Sequence, residues 1–289
     1  MKSLKNNVKF ASASKTLLTS LLALFCALFI TGIIIAICGY NPIEIFVKVF
    51  AESFASRASI ALCLSQATPL IFAGLSFAVG LKVGLINVGV EGQLVTGAMA
   101  AALCGVYVKF LPGDLHVIVC VLLAACAGGA VNLFTTYLKV KTDAPEVITG
   151  IMLNTILTLI ASYLVNGPLK AEGASIGKTE QILPSAELTR IIPRTQLTTA
   201  FIIAIVIAIV MHIVLNKTVL GYKMRVTGLN KRAAAVAGIK SSSIYYSSSF
   251  ISGSIAGIAG AAVALGVYRC YMENLSVGYG FAGIPVAAL

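Results

Sequence analysis

An all-α, polytopic membrane helix bundle is the fold class this sequence predicts, and three observations predict it. The first is composition. Of 289 residues, 58% are hydrophobic and 11% charged, where a soluble globular chain is about a quarter charged, and the mean hydropathy is +0.97. The second is a series of long uncharged runs, each near the ~20 apolar residues that a helix needs to cross a hydrocarbon core. The third is an uneven distribution of basic residues between the segments that join those runs.

The elements follow in order. Residues 1–16 are a basic N-terminal tail, and 17–38 are an uncharged run with no small-residue cleavage pattern, read as an uncleaved anchor. Further spans are expected at 60–81, 90–108, 117–138, 147–165, 197–215 and 244–268, and Glu91 is the only Asp, Glu, Lys or Arg inside any of them. A partial span begins at 281, and its position suggests a chain truncated at its C-terminus within an eighth helix. The whole chain, 1–289, is expected to form a single transmembrane domain.

With the N-terminus in the cytoplasm, the 21 Lys and Arg residues divide thirteen inside to eight outside, the sense that basic loops favour. Topology therefore accounts for most of the net charge of +11. No basic stripe with interleaved aromatics points to a nucleic-acid partner.

The seven cysteines show no Cys-x-x-Cys pair and no His at ligand spacing, so they read as small apolar packing residues, and no metal site is expected. No phosphate-cradling Gly-rich loop with Lys-Ser/Thr is present. Catalytic residues and a bound cofactor are not expected either.

Two connecting segments are long. Residues 166–196, rich in Pro and Gly, read as a structured cap outside the membrane. Residues 216–243 carry a basic run and then a short alanine-rich helix started by Gly-Leu-Asn and closed by Gly238. That helix is either a solvated connector or a docking helix with a small face of Ala233, Ala234, Ala237 and Gly238, and Lys231 and Arg232 at its rim. In the span at 244–268, Gly253 and Gly257 form a small-x-x-x-small pair, which predicts close helix packing.

Polar residues cluster at 84–93, "GLINVGVEGQ". Asn87 and Glu91 are four apart and share a helical face, and an ionised carboxylate facing lipid would cost on the order of 3 kcal/mol or more. Three readings stand open: Glu91 caps a helix or pairs with a cation such as Lys82; the glycines mark a broken helix whose Asn87, Glu91 and Gln93 line an inner pathway; or Glu91 serves a proton relay. In "APEVITGIMLNTI", Glu146 lies at a favourable helix N-terminus, and Asn154 either bonds another helix or faces a polar solute.

Taken in order, "GLINVGVEGQLVTGAMAAA", "APEVITGIMLNTI", "YLVNGPL" and "GLNKRAAAVAGI" followed by "SGSIAGIAGA" resemble the permease subunits of bacterial ATP-driven (ABC) nucleoside and simple-sugar importers, the branched-chain amino acid/ribose-type permease family, from about Ala67 to the end. The resemblance implies a type II-like importer transmembrane domain in the bacterial cytoplasmic membrane. It also implies a second permease subunit, cytoplasmic ABC ATPase subunits and an extracytoplasmic substrate-binding lipoprotein as partners. Residues 216–243 would be the cytoplasmic coupling segment, with Gly228, Asn230, Arg232, Ala233, Ala234, Ala237, Gly238 and Ile239 at its core. Asn87, Glu91, Gln93 and Asn154 would lie on the substrate pathway. Arg232 stands where relatives often carry an acidic residue, Ala282 where they carry Asp, and Pro285 where they carry Ala. The expected cargo is a nucleoside; the alternatives are a ribose-like sugar and, from a different class, an ion-driven secondary transporter.

Overall fold

A computed structural model describes residues 2–288, with backbone only at 2–17 and at 20. The reading of a truncated end rests on Leu289, which lies outside the described residues. The chain divides into two compact units, residues 1–60 and 61–288.

The first unit holds α1 (Lys2–Ile37) and α2 (Pro42–Phe54). Helix α1 runs back through the basic tail, and Leu21–Ile37 is an apolar part of it with described side chains. The chain turns at Gly39, and Asn41 caps α2, accepting from the Ile43 and Glu44 N–H groups, with Pro42 opening the helix.

The second unit follows from α3 (Arg57–Val83), which begins just before it. It contains α4 (Val90–Tyr107), α5 (Gly113–Thr142), α6 (Glu146–Asn166), α7 (Ala200–Lys217), α8 (Val219–Leu229), α9 (Lys231–Val236), α10 (Ser241–Ala261) and α11 (Tyr279–Ala288). A π-helical turn, Ala262–Tyr268, prolongs α10. Among the described residues six helices are long and apolar enough to cross a membrane: α3, α4, α5, α6, α7, and α10 with its π extension. This is a polytopic all-helical bundle, and the basic run before α9 is itself helical where the sequence reading has a connector.

Burial sorts the helices into core and rim. The most apolar stretch is 78% buried in α4 and 72% in α10, against 17% in α6 and 22% in α7, so α6 and α7 lie at the rim of the bundle. The core pair pack because glycines remove side chains from the seam. A Cβ on Gly257 would overlap the Ala124 carbonyl oxygen of α5, one on Gly260 the Leu94 carbonyl of α4, and one on Gly253 the Gly128 carbonyl of α5. In lipid such faces let backbones meet and gain dispersion contact where no hydrophobic force drives association. The expected Gly253/Gly257 face is thus the centre of a three-helix junction.

Residues 166–196 form a cap at one end of this unit, with one 3₁₀ turn (Pro184–Ala186). Its Leu183 N–H donates to the Gly105 carbonyl (2.9 Å), its Ile182 N–H to the Arg269 carbonyl (2.9 Å), and Glu187 pairs with Arg269 at 2.7 Å. At the opposite end the α3–α4, α5–α6 and α8–α10 connections converge, as alternating spans require.

Candidate functional site

At that converging end the chain breaks between α3 and α4. Gly84 takes a left-handed φ of +82°, and the Leu85 N–H returns to the Gly80 carbonyl at 3.0 Å. Helix α4 then starts at Gly89, which has no side chain to satisfy the first N–H groups. Asn154 of α6 supplies the missing cap from another helix: its Oδ1 accepts from the Gly92 N–H (2.8 Å) and its Nδ2 donates to the Val88 carbonyl (2.9 Å). Glu146, at the start of α6, accepts from the Ile86 N–H at 2.8 Å. Two residues eight apart on α6 therefore hold the break open. Asn154→Ala would strand both backbone groups, each at about 1–3 kcal/mol. Thermal unfolding of the purified protein, followed by circular dichroism, is expected at a clearly lower temperature for this variant; an unchanged midpoint would mean that the bonds contribute nothing.

Beyond the break lies a buried amide pair. Asn87 Nδ2 donates to Gln93 Oε1 (3.0 Å), and Gln93 Nε2 returns the bond to Asn87 Oδ1 (2.8 Å). Asn87 also reaches Ser252 Oγ on α10 (2.8 Å), and Ser252 and Ser76 exchange hydroxyl-to-carbonyl bonds of 2.8 Å each between α10 and α3. A cleft beside this network is walled by Asn132, Thr136, Ser249 and Glu146. Outward from it opens a polar cavity of about 580 Å³, lined by Gly84, Lys139, Asp143, Glu146, Lys231 and Tyr245. A hydrogen bond from the Lys139 ammonium, 3.0 Å away, holds the exposed Asp143 carboxyl below its ordinary range.

Glu91 is buried, yet among the described residues no cation pairs with it. Its carboxylate accepts from the Ser276 hydroxyl and from the Gly280 N–H (2.7 Å) at the start of α11. It thus sits in the first turn of α4 and at the head of α11, between two helix N-termini whose dipoles favour negative charge. Glu91 caps the head of α11 and makes no bond to Lys82. Asn154 bonds the neighbouring backbone. Asn87 and Gln93 join each other and α10. Ser76 and Ser252 complete the same region and escaped sequence reading because single serines carry no long-range signal, while Glu146, read as a favourable first-turn acid, also bonds the Ile86 N–H.

The second group of candidates lies on α8 and α9. Asn230 caps α9, accepting from the Arg232 N–H (2.9 Å) and the Ala233 N–H (3.1 Å), and Gly238 closes it at φ +74°. Ala234 and Ile239 are buried in the bundle's apolar cluster with Met224 and Ile244, so they seat the helix. Arg232, Ala233, Ala237 and Gly238 are exposed. Beside them stand two apolar side chains the sequence reading did not single out, Leu229 at 87% exposure and Val236 at 91%. Gly228 lies against the break itself: a Cβ there would meet the Lys82 carbonyl at 2.5 Å and Gly84 N at 3.1 Å.

At the cap end, Cys104 of α4 and His116 and Cys120 of α5 bring their ligand atoms within 4.8 Å of one another, all three buried. His116 and Cys120 are one helical turn apart, a ligand spacing that the sequence reading passed over, and the third member comes from a different helix.

Comparison with known sequences matches residues 59–289 to the family described as branched-chain amino acid transport system / permease component. Three relatives each align over most of the chain. A guanosine ABC transporter permease protein of Bacillus subtilis (strain 168) is 31% identical over 94% of this chain and 79% of its own length. A glucose ABC transporter permease protein of Haloferax volcanii is 29% identical over 94% and 74%, and a nucleoside ABC transporter permease protein of Lactococcus lactis subsp. cremoris is 29% identical over 96% and 78%. No solved structure matches the chain.

Proposed function

The chain belongs to the branched-chain amino acid transport system / permease component family, and from that premise we propose that it is the membrane permease subunit of an ATP-driven importer that carries nucleosides. The observation that carries the mechanism is the seam between Gly228 and Gly84. Through it α8, which runs directly into the exposed α9, is in backbone contact with the broken segment beside Asn87, so a push on α9 is passed to that segment by the end of α8.

In this reading the basic end of the bundle faces the cytoplasm, in keeping with the thirteen-to-eight division of cations. Cytoplasmic ATPase subunits dock on Leu229, Ala233, Val236, Ala237 and Gly238, with Arg232 at the rim. Their closure on ATP moves α8 and α9, Gly228 displaces residues 84–89, and the α3–α4 break switches between two arrangements. A second permease subunit completes the pathway, and an extracytoplasmic binding lipoprotein delivers the cargo. In this reading ATP is bound and hydrolysed by the partner subunits.

Asn87, Gln93, Glu91 and Asn154 border the inner pathway. A nucleoside suits such a wall, because its base and ribose offer both donors and acceptors to an amide pair that can open and re-pair. The guanosine and nucleoside permeases among the relatives support the cargo. The glucose permease keeps a simple sugar as the second reading.

Uptake of labelled nucleosides by cells deleted for the full operon, and then given it back, tests the proposal. Uptake is expected to fall with deletion and return with the genes. Unchanged uptake in a strain with no parallel importer contradicts it, and loss of sugar uptake alone selects the second reading.

A further inference from the structure

We propose that Cys104, His116 and Cys120 form a structural zinc site that fastens α4 to α5 beneath the cap. The three ligand atoms already lie within 4.8 Å of one another, and the residues are 5%, 0% and 0% exposed. Zinc bonds of about 2.0–2.3 Å separate neighbouring ligands by roughly 3.4–3.8 Å, so the site needs to contract by about 1.4 Å at most.

The imidazole is set up for this. The Cys104 carbonyl can only accept, so the 3.2 Å contact with Nε2 makes that nitrogen the N–H donor. Nδ1 therefore carries the lone pair, and the Ser185 hydroxyl, 2.9 Å away, is its partner in the metal-free arrangement. A ligating histidine whose other nitrogen donates to a backbone carbonyl is the usual outer-shell arrangement in metal sites. Ser185, which comes from the 3₁₀ turn of the cap, gives up this hydrogen bond when Nδ1 ligates.

Charge selects the ion. Binding releases two protons to solvent, one from each thiol, and two thiolates with a neutral imidazole then cancel the charge of a divalent ion. The dry site ends with no net charge, which avoids the cost of an unpaired buried ion. A monovalent soft ion would leave one negative charge in the same apolar surroundings.

The test is the zinc content of the full chain, produced with zinc in the medium and purified in detergent without chelator. About one zinc per chain is expected by plasma mass spectrometry, and Cys104→Ser with Cys120→Ser should lower it to below ~0.1 while the protein elutes as a single species. If the double variant fails to fold, the unmodified chain produced with cobalt decides: a thiolate-to-cobalt charge-transfer absorption supports the site. Less than ~0.1 zinc in the unmodified chain, a disulfide between the two cysteines, or zinc retained by the double variant overturns it.

Discussion

Gly257→Leu is expected to leave almost no folded protein in the membrane, the largest stability effect of any single substitution considered. The glycine faces the Ala124 carbonyl of α5, and the Cβ of α4's Gly97 would in turn strike the Cα of Gly257. Helix α10 cannot retreat from α5 without losing its seat on α4, because Gly260 lies against Leu94 and Ala98 there. Overpacking costs about 1–3 kcal/mol where side chains can shift. Here the atoms that must move are backbone on two sides, so the cost takes a large share of a stability of about 5–15 kcal/mol. Detergent extraction followed by size-exclusion chromatography measures it: little monodisperse protein is expected from Gly257→Leu. Val206→Leu, on the exposed face of α7, should give the unmodified yield. Equal yields from the two variants would mean that the three-helix junction is looser than the glycines imply.

The second large effect is on coupling. Val236→Asp should abolish recovery of ATPase subunits with the permease and reduce uptake at least ~30-fold, with the amount of protein in the membrane unchanged. Val236 is 91% exposed on α9, so a charge there disturbs no internal packing. Leaving that charge unpaired in a protein interface costs about 2–5 kcal/mol, and 2 kcal/mol is already about thirtyfold. Gly238→Arg should act in the same direction for two reasons, bulk and backbone. Its φ of +74° costs a side-chain-bearing residue about 1–2 kcal/mol, although the space around it is open. If both variants still hold the ATPase subunits at the unmodified level, α9 is not the docking element.

Much of this architecture is legible in the residues because lipid imposes it. Uncharged runs mark α3 to α7 and α10, and the Gly253/Gly257 pair marks the packed face, since both follow from composition at fixed spacing. The start and stop of α9 were equally readable, as Asn230 and Gly238 have few other roles at such positions. Longer-range partnerships were not. Nothing local in "GLINVGVEGQ" indicates that Asn154 caps α4 from another helix, or that Glu91 holds the head of α11, 189 residues away. Helix α8 was missed for a related reason: its sequence, VLGYKMRVTGL, has two glycines and no clean apolar period, and it is helical because Gly221 and Met224 are buried against the bundle. The Cys104, His116 and Cys120 cluster depends on two helices meeting, which spacing in one of them cannot show.

The sidedness of α9 decides the scheme. A cysteine placed at Val236, reacted with a membrane-impermeant maleimide and compared with the unmodified chain, should be labelled in inside-out vesicles and left unlabelled in right-side-out ones. Labelling from the outside of intact, right-side-out vesicles would put α9 on the wrong face of the membrane and remove the contact through which ATP hydrolysis is to drive transport.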